Sequence, residues 1–204
     1  MKKVFRFFAI AALAFGMTTM VACKDDEEEN GGNGAGNTEN LPTTLDENFD
    51  NGIPSTWACI DADGDGYKWI AISDGGFQQI PNWTPNGTNC AASASFWNSI
   101  GVLTPDNYLV SPKIYIEKGK KLTYVVCGSD DSDFAEHYDV LIGNYDGTTF
   151  TTIATVTSET LTQKEVQNRE FSLDEWAGKS VYFAFRHYNC TNMYWLCIDN
   201  VQIQ

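Results

Sequence analysis

Val181-Tyr182-Phe183-Ala184-Phe185-Arg186-His187 is the stretch that decides the fold. Val181, Phe183 and Phe185 fall on one face of an extended chain, with Tyr182, Ala184 and Arg186 on the other. That period of two is what a half-buried strand requires. The same texture, short runs rich in β-branched and aromatic residues, recurs on both sides and predicts further strands over residues 108–111, 122–127, 138–142, 150–156, 166–173 and 193–203. Clusters of Gly, Asn, Asp and Ser separate these runs. Asn144-Tyr145-Asp146-Gly147 is a hairpin-turn signal. Asp174 to Ala177, stopped by Gly178, allows at most one helical turn. Many short strands at this spacing predict an all-β sandwich. From Trp69 to Ser99 the chain is long and irregular, which in a compact domain marks function or a bound ion.

Just upstream of that irregular region lies Asp61-Ala62-Asp63-Gly64-Asp65-Gly66, followed by Trp69. Three carboxylates at alternate positions repel one another unless a cation sits between them. Calcium, a hard ion that takes six to eight oxygens, suits them, and the glycine after the third Asp permits a sharp turn. The run matches the opening of an EF-hand loop but fails at its twelfth position, where Ile72 stands in place of a bidentate Glu. Oxygens from elsewhere in the fold must therefore complete any calcium site. The plain alternative is a solvated Asp/Gly turn.

The first 22 residues are expected to be a targeting segment. Lys2, Lys3 and Arg6 make a basic start, and the apolar run from Phe7 to Ala22 is shorter than the ~20 residues a membrane-spanning helix needs. Met20-Val21-Ala22-Cys23 resembles a bacterial lipobox, which implies lipidation at Cys23. Residues 23–40 read as the lipidated cysteine and an acidic, glycine-rich tether: Asp25 to Glu29, then Gly31, Gly32, Gly34 and Gly36. Such a composition cannot bury apolar surface. Acidic residues straight after the lipid cysteine resemble the surface-export signal of Bacteroidetes-type lipoproteins, so a lipid-anchored location on the outer membrane at the cell surface is expected.

Residues 41–204 make one domain's length. The targeting segment holds three of the 13 cationic residues and none of the 27 acidic ones, so the remainder is more acidic than the −14 of the whole chain. Such a charge excludes nucleic acid as a partner and any membrane contact other than the lipid anchor. With Cys23 lipidated, Cys59, Cys90, Cys127, Cys190 and Cys197 remain, an odd number whose pairing stays open.

Several stretches together resemble the cleaved-adhesin family, the adhesin modules of gingipain proteases and their companion haemagglutinins, and the related choice-of-anchor J domains. They are Glu47-Asn48-Phe49-Asp50-Asn51-Gly52-Ile53-Pro54, Trp57, the Asp61 run with Trp69, and residues 100–112. Glu136-His137-Tyr138, Ala184-Phe185-Arg186-His187 and Ile198-Asp199-Asn200-Val201 continue the match. It covers residues 46–204 in order and departs mainly over 70–99. The resemblance implies a β-jelly-roll with calcium as a structural ion. One implied site uses Asp61, Asp63 and Asp65 with the Tyr67 carbonyl, completed by oxygens near Gly87 to Asn89. A second joins the Asn48 carbonyl, Asp50, Asn107 and Asp199. Read as strand, this stretch points Phe49 to the core and leaves 48 and 50 on the other face, favouring Asp50 over Glu47, which is held as a reserve ligand.

The resemblance implies adhesion to a host or surface protein, or to carbohydrate, by a monomer. Phe77, Trp83 and Trp97 are the rings suited to stack on such a ligand, against the alternative that they pack into the core. Catalysis is not expected. There are two histidines, no Gly-x-Ser-x-Gly elbow, a His187–Cys190 pair without an evident orienting acid, and Glu136 and Asp139 as a possible carboxylate pair. A structural lipoprotein docking onto another surface protein is the remaining alternative.

Overall fold

The computed structural model describes residues 40–75, 87 and 89–204. The strands are β1 (Leu45–Glu47), β2 (Ala58–Asp61), β3 (Ile70–Ala71), β4 (Ala91–Ala94), β5 (Phe96–Trp97), β6 (Gly101–Val102) and β7 (Asn107–Val110). They continue with β8 (Ile114–Tyr115), β9 (Lys121–Gly128), β10 (His137–Tyr145), β11 (Phe150–Thr160), β12 (Gln167–Ser172), β13 (Ser180–His187) and β14 (Trp195–Ile203). Two 3-10 turns, Ile72–Gly75 and Asp174–Trp176, are the helical segments among the described residues.

One sheet runs β12-β9-β14-β4-β3, with β1 also on β14; the other runs β11-β10-β13-β7-β2, with β8 also on β13. Each sheet has six strands, and β5 and β6 form a separate hairpin. Their inner faces make the main core. Val181, Phe183 and Phe185 of β13 meet Leu122, Tyr124 and Val126 of β9 and Leu196 and Ile198 of β14, as the alternation predicts. This is a jelly-roll β-sandwich.

The first sheet buries its outer face as well. Cys90, Ala92, Ala94, Cys127, Trp195 and Cys197 form a second cluster with Ile72 and Leu103. Burial on both faces explains the small side chains of β4, Ala91-Ala92-Ser93-Ala94, all four of which are buried. Cys197 sits directly opposite Cys127 across β14 and β9, and neither forms a disulfide.

The seven strands read from the sequence are all present with ends shifted by a few residues, and the hairpin between β10 and β11 turns on Gly147 at φ 101°. The expectation for Phe49 needs correction. Strand β1 ends at Glu47, and Phe49 is buried from a left-handed conformation, φ 52°, instead of from an extended strand. The inward ring is as expected, but a turn aims it there, not strand alternation.

Candidate metal centre

Strand β2 delivers Asp61 to the end of the second sheet, opposite Asn107 of β7, and the Ala62 amide donates to the Asp106 carbonyl at 2.9 Å. The chain then winds around the Asp61 carboxylate. The Gly64 amide donates to Oδ1 at 2.7 Å and the Gly66 amide to Oδ2 at 2.8 Å. Both glycines have left-handed φ, 76° and 89°, so the wrap needs them. The Tyr67 amide closes the turn on Asp65 at 2.7 Å. One carboxylate oxygen from each of Asp61, Asp63 and Asp65 lies within 4.8 Å of the others.

This crowding has an electrostatic signature. Partial burial, a hydrogen bond shared with Asp61 and the charge of Asp65 push the Asp63 carboxyl up to about 6. The same shared hydrogen bond, followed by the Gly66 and Gly64 amides, holds Asp61 below the usual carboxylate range. Three hard oxygens that cannot all ionise freely fit a divalent cation of the calcium type.

Asn107 Nδ2 donates to the Tyr67 carbonyl at 2.8 Å and to Ser93 Oγ at 3.2 Å, while its buried Oδ1 has no hydrogen-bond partner. It therefore stands beside the three-aspartate loop through the Tyr67 carbonyl and also reaches β4 of the first sheet through Ser93. Asn107 pairs with Asp61 and His187 in the second sheet, and Asp199 lies in the first.

The other expected ligands are Asn48 and Asp50, on the turn after β1, and Asp199, in the middle of β14. Glu47 is opposite Val201, so the chain beyond β1 runs past Asp199, which is fully buried. The Asn48 side chain donates from Nδ2 to Asp50 Oδ2 at 2.9 Å, and a Cβ at Gly87 would collide with Asp50 Oδ1. The Asn200 amide donates to Asp199 Oδ1 at 2.6 Å, with Asn200 in a left-handed conformation. Glu47 accepts the Phe49 amide at 2.8 Å, a turn-forming role.

Of the candidate stacking rings, Trp97 packs edge-on against Trp195 at 5.0 Å and Tyr67 at 5.9 Å, and is half-buried. It is a lid on the second apolar cluster, not a free platform. Its exposed neighbours are Ile100 and Val102, at 46% and 60% exposure. Phe77, Trp83 and Cys23 lie outside the described residues, as do the targeting segment and nearly all of the tether.

The groups weighed for catalysis do not form a catalytic constellation. Glu136 is buried on His187, while Asp139 accepts the Tyr188 hydroxyl at 2.9 Å. Cys190 Sγ is 3.1 Å from His187 Nε2, but Glu136 Oε2 meets that same nitrogen at 3.0 Å. An acid that orients a base holds the opposite ring nitrogen, and here His187 Nδ1 goes to Ser93 Oγ at 2.8 Å. Burial and then the Glu136 carboxylate push the Cys190 thiol well above its usual range, contrary to what a nucleophile needs. For Glu136, burial pushes upward, but His187 and the groups hydrogen-bonded to the carboxylate outweigh it and hold the pKa down. The sequence gives one signal of this cluster, the spacing of His187 and Cys190; Glu136 joins them only through folding.

Comparison with known proteins gives a consistent result. Residues 42–203 match the Cleaved Adhesin Domain family. Hemagglutinin A of Porphyromonas gingivalis is 36% identical over 185 residues, covering 84% of this chain and 7% of that relative's length. The chain thus spans a small fraction of such relatives. The K1 cleaved adhesin domain of Lys-gingipain from Porphyromonas gingivalis W83 superimposes with a TM-score of 0.68 at 35% identity, covering 79% of this chain and 98% of that one. TmCBM61, solved with β-1,4-galactotriose, shares the fold at a TM-score of 0.52 and 12% identity, over 78% of this chain and 94% of its own.

Proposed function

Because this chain belongs to the cleaved adhesin domain family, we propose that it is a non-catalytic, calcium-stabilised binding module, held at the cell surface by a lipid on Cys23 and directed at a host protein or a carbohydrate. The observation that carries the adhesin reading is the extent of the family match, from residue 42 to 203, across both sheets of the sandwich. It is supported by the kinship with Hemagglutinin A and with an adhesin domain of Lys-gingipain. A carbohydrate ligand draws support from the bound galactotriose of TmCBM61, whose likeness is one of fold.

Calcium enters through two sets of oxygens. Asp61, Asp63, Asp65 and the Tyr67 carbonyl form the first, with the partnerless Asn107 Oδ1 as an added acceptor beside them. Asn48, Asp50 and the Asp199 carboxylate form the second, and its ion would tie the turn after β1 to β14. Calcium supplies structural cross-linking in both places and takes no part in a reaction. Absence of catalysis is supported by the raised Cys190 thiol and by the separate commitments of Glu136 and Asp139.

The full chain, applied to arrays of glycans and host proteins with and without millimolar calcium, should bind a restricted ligand set and lose it in chelator. Calcium-independent binding would overturn the link between metal and adhesion, and hydrolysis of an arrayed glycan would overturn the non-catalytic reading. For the anchor, radioactive fatty acid should label the wild type and not Cys23→Ser; label retained on that variant rejects lipidation at Cys23.

A further inference from the structure

We propose that Glu136, His187 and Cys190 form a second kind of metal site, for a divalent transition ion of the zinc type, distinct from the aspartate loop. Their donor atoms, a carboxylate oxygen, a ring nitrogen and a thiol sulfur, all lie within 4.8 Å of one another. Glu136 Oε2 and Cys190 Sγ are 3.0 Å and 3.1 Å from His187 Nε2. That nitrogen carries one proton or one lone pair, so it satisfies one of the two neighbours at a time, and Cys190 Sγ otherwise has the Glu136 carboxylate and a long contact to the His137 carbonyl at 3.9 Å. A metal ion in their midst satisfies both neighbours at once. Around a tetrahedral zinc, adjacent donors stand roughly 3.3–3.6 Å apart, from bonds of ~2.0–2.3 Å. The observed separations are a few tenths of an ångström short, within reach of a small movement by Cys190, which is half-buried on a loop.

The surroundings have the arrangement that orients metal ligands. His187 Nδ1 is tied to Ser93 Oγ at 2.8 Å, which turns Nε2 toward the cluster. Glu136 Oε1 accepts from Ser95 Oγ at 2.8 Å and from the Tyr194 amide at 2.9 Å, which leaves Oε2 for the ion. Glu136 and His187 are fully buried, so Cys190 marks the side of entry and of a fourth ligand. Charge also agrees. A carboxylate and a thiolate balance a divalent ion, and the neutral imidazole adds nothing, so the filled site is neutral where an unbalanced charge is costly. Thiolate and imidazole select zinc-like ions, whereas the all-oxygen loop selects calcium.

The test is cobalt titration of the full chain carrying no histidine tag. One equivalent of Co2+ should give a thiolate-to-cobalt charge-transfer band with intense tetrahedral d–d absorption, displaced by zinc and not by millimolar calcium. Cys190→Ser should abolish the band and weaken zinc binding at least ~10-fold. Asp63→Asn should leave both unchanged. A second measurement needs no variant: zinc should slow iodoacetamide labelling of Cys190, read by peptide mass spectrometry, and leave labelling of Cys59 unaltered. No band in the folded wild type, a band that survives in Cys190→Ser, or Cys190 labelling indifferent to zinc would overturn the proposal.

Discussion

The loop at residues 61–67 and the cluster of Glu136, His187 and Cys190 each bring three metal-capable side chains together, by opposite means. In the loop the ligands are neighbours in sequence, largely exposed, and held by the chain's own amides on Asp61 and Asp65. In the cluster they come from the residue just before β10, the end of β13 and the loop after it, and side chains of β4 and the following segment hold them. An exposed loop can open when its ion leaves, because water then solvates the carboxylates. A buried cluster has no such escape. The loop should respond to calcium in solution, whereas Glu136 and His187 should behave as part of the core, with Cys190 the member open to a transition ion.

Substitution inside the cluster should produce the largest effect. Glu136→Ala leaves His187, Ser95 and the Tyr194 amide without their acceptor, and breaking a buried pair of this kind costs about 3–5 kcal/mol. Urea unfolding should report it in calcium and in chelator alike; a loss below ~1 kcal/mol would mean the cluster is not a rigid part of the core. Next comes calcium itself. At 100 times its dissociation constant it should add ~2.7 kcal/mol per site, so chelation should lower the melting temperature and calcium should restore it better than magnesium. Asp63→Ala should remove most of the loop's share and Asp199→Ala should act separately. Equal melting in chelator and calcium would refute the structural ion.

Asn107 lies between the two regions, with Nδ2 on the Tyr67 carbonyl and on Ser93 Oγ, the atom that also meets His187. Asn107→Ala should cost ~1–3 kcal/mol. Combined with Asp63→Ala, a non-additive loss in a double-mutant cycle would show that the two regions are coupled, and additivity that they are independent. The smallest effect is expected for Gly66→Ala. It forces a Cβ into a left-handed backbone at about 1–2 kcal/mol, and Gly66→Asn should recover part of the loss.

What could be read in advance follows the same division. The long strands announce themselves because their inward residues alternate, as Val181, Phe183 and Phe185 do, and the loop announces itself because Asp61, Asp63 and Asp65 are local. Strand β4 escapes notice because burial on both faces selects Ala and Ser, which carry little β-propensity. That Asn107 borders the aspartate loop is not legible in spacing along the chain, which does not say which strands become neighbours. The turn at Phe49 is not legible either, since a buried ring in an extended segment and one in a left-handed turn look alike in sequence. Glu136 joins His187 across 51 positions, a contact that only the pairing of β10 with β13 creates.

Strand β14 has three partners: β9 along one edge, and β4 followed by β1 along the other. Its contact with β1 joins Asp46 to Gln202, 156 positions apart. The first sheet therefore lacks its middle until residues 195–203 have been made. Such non-local closure makes for slow folding, with the edges of β9 and β4 unpaired until β14 docks.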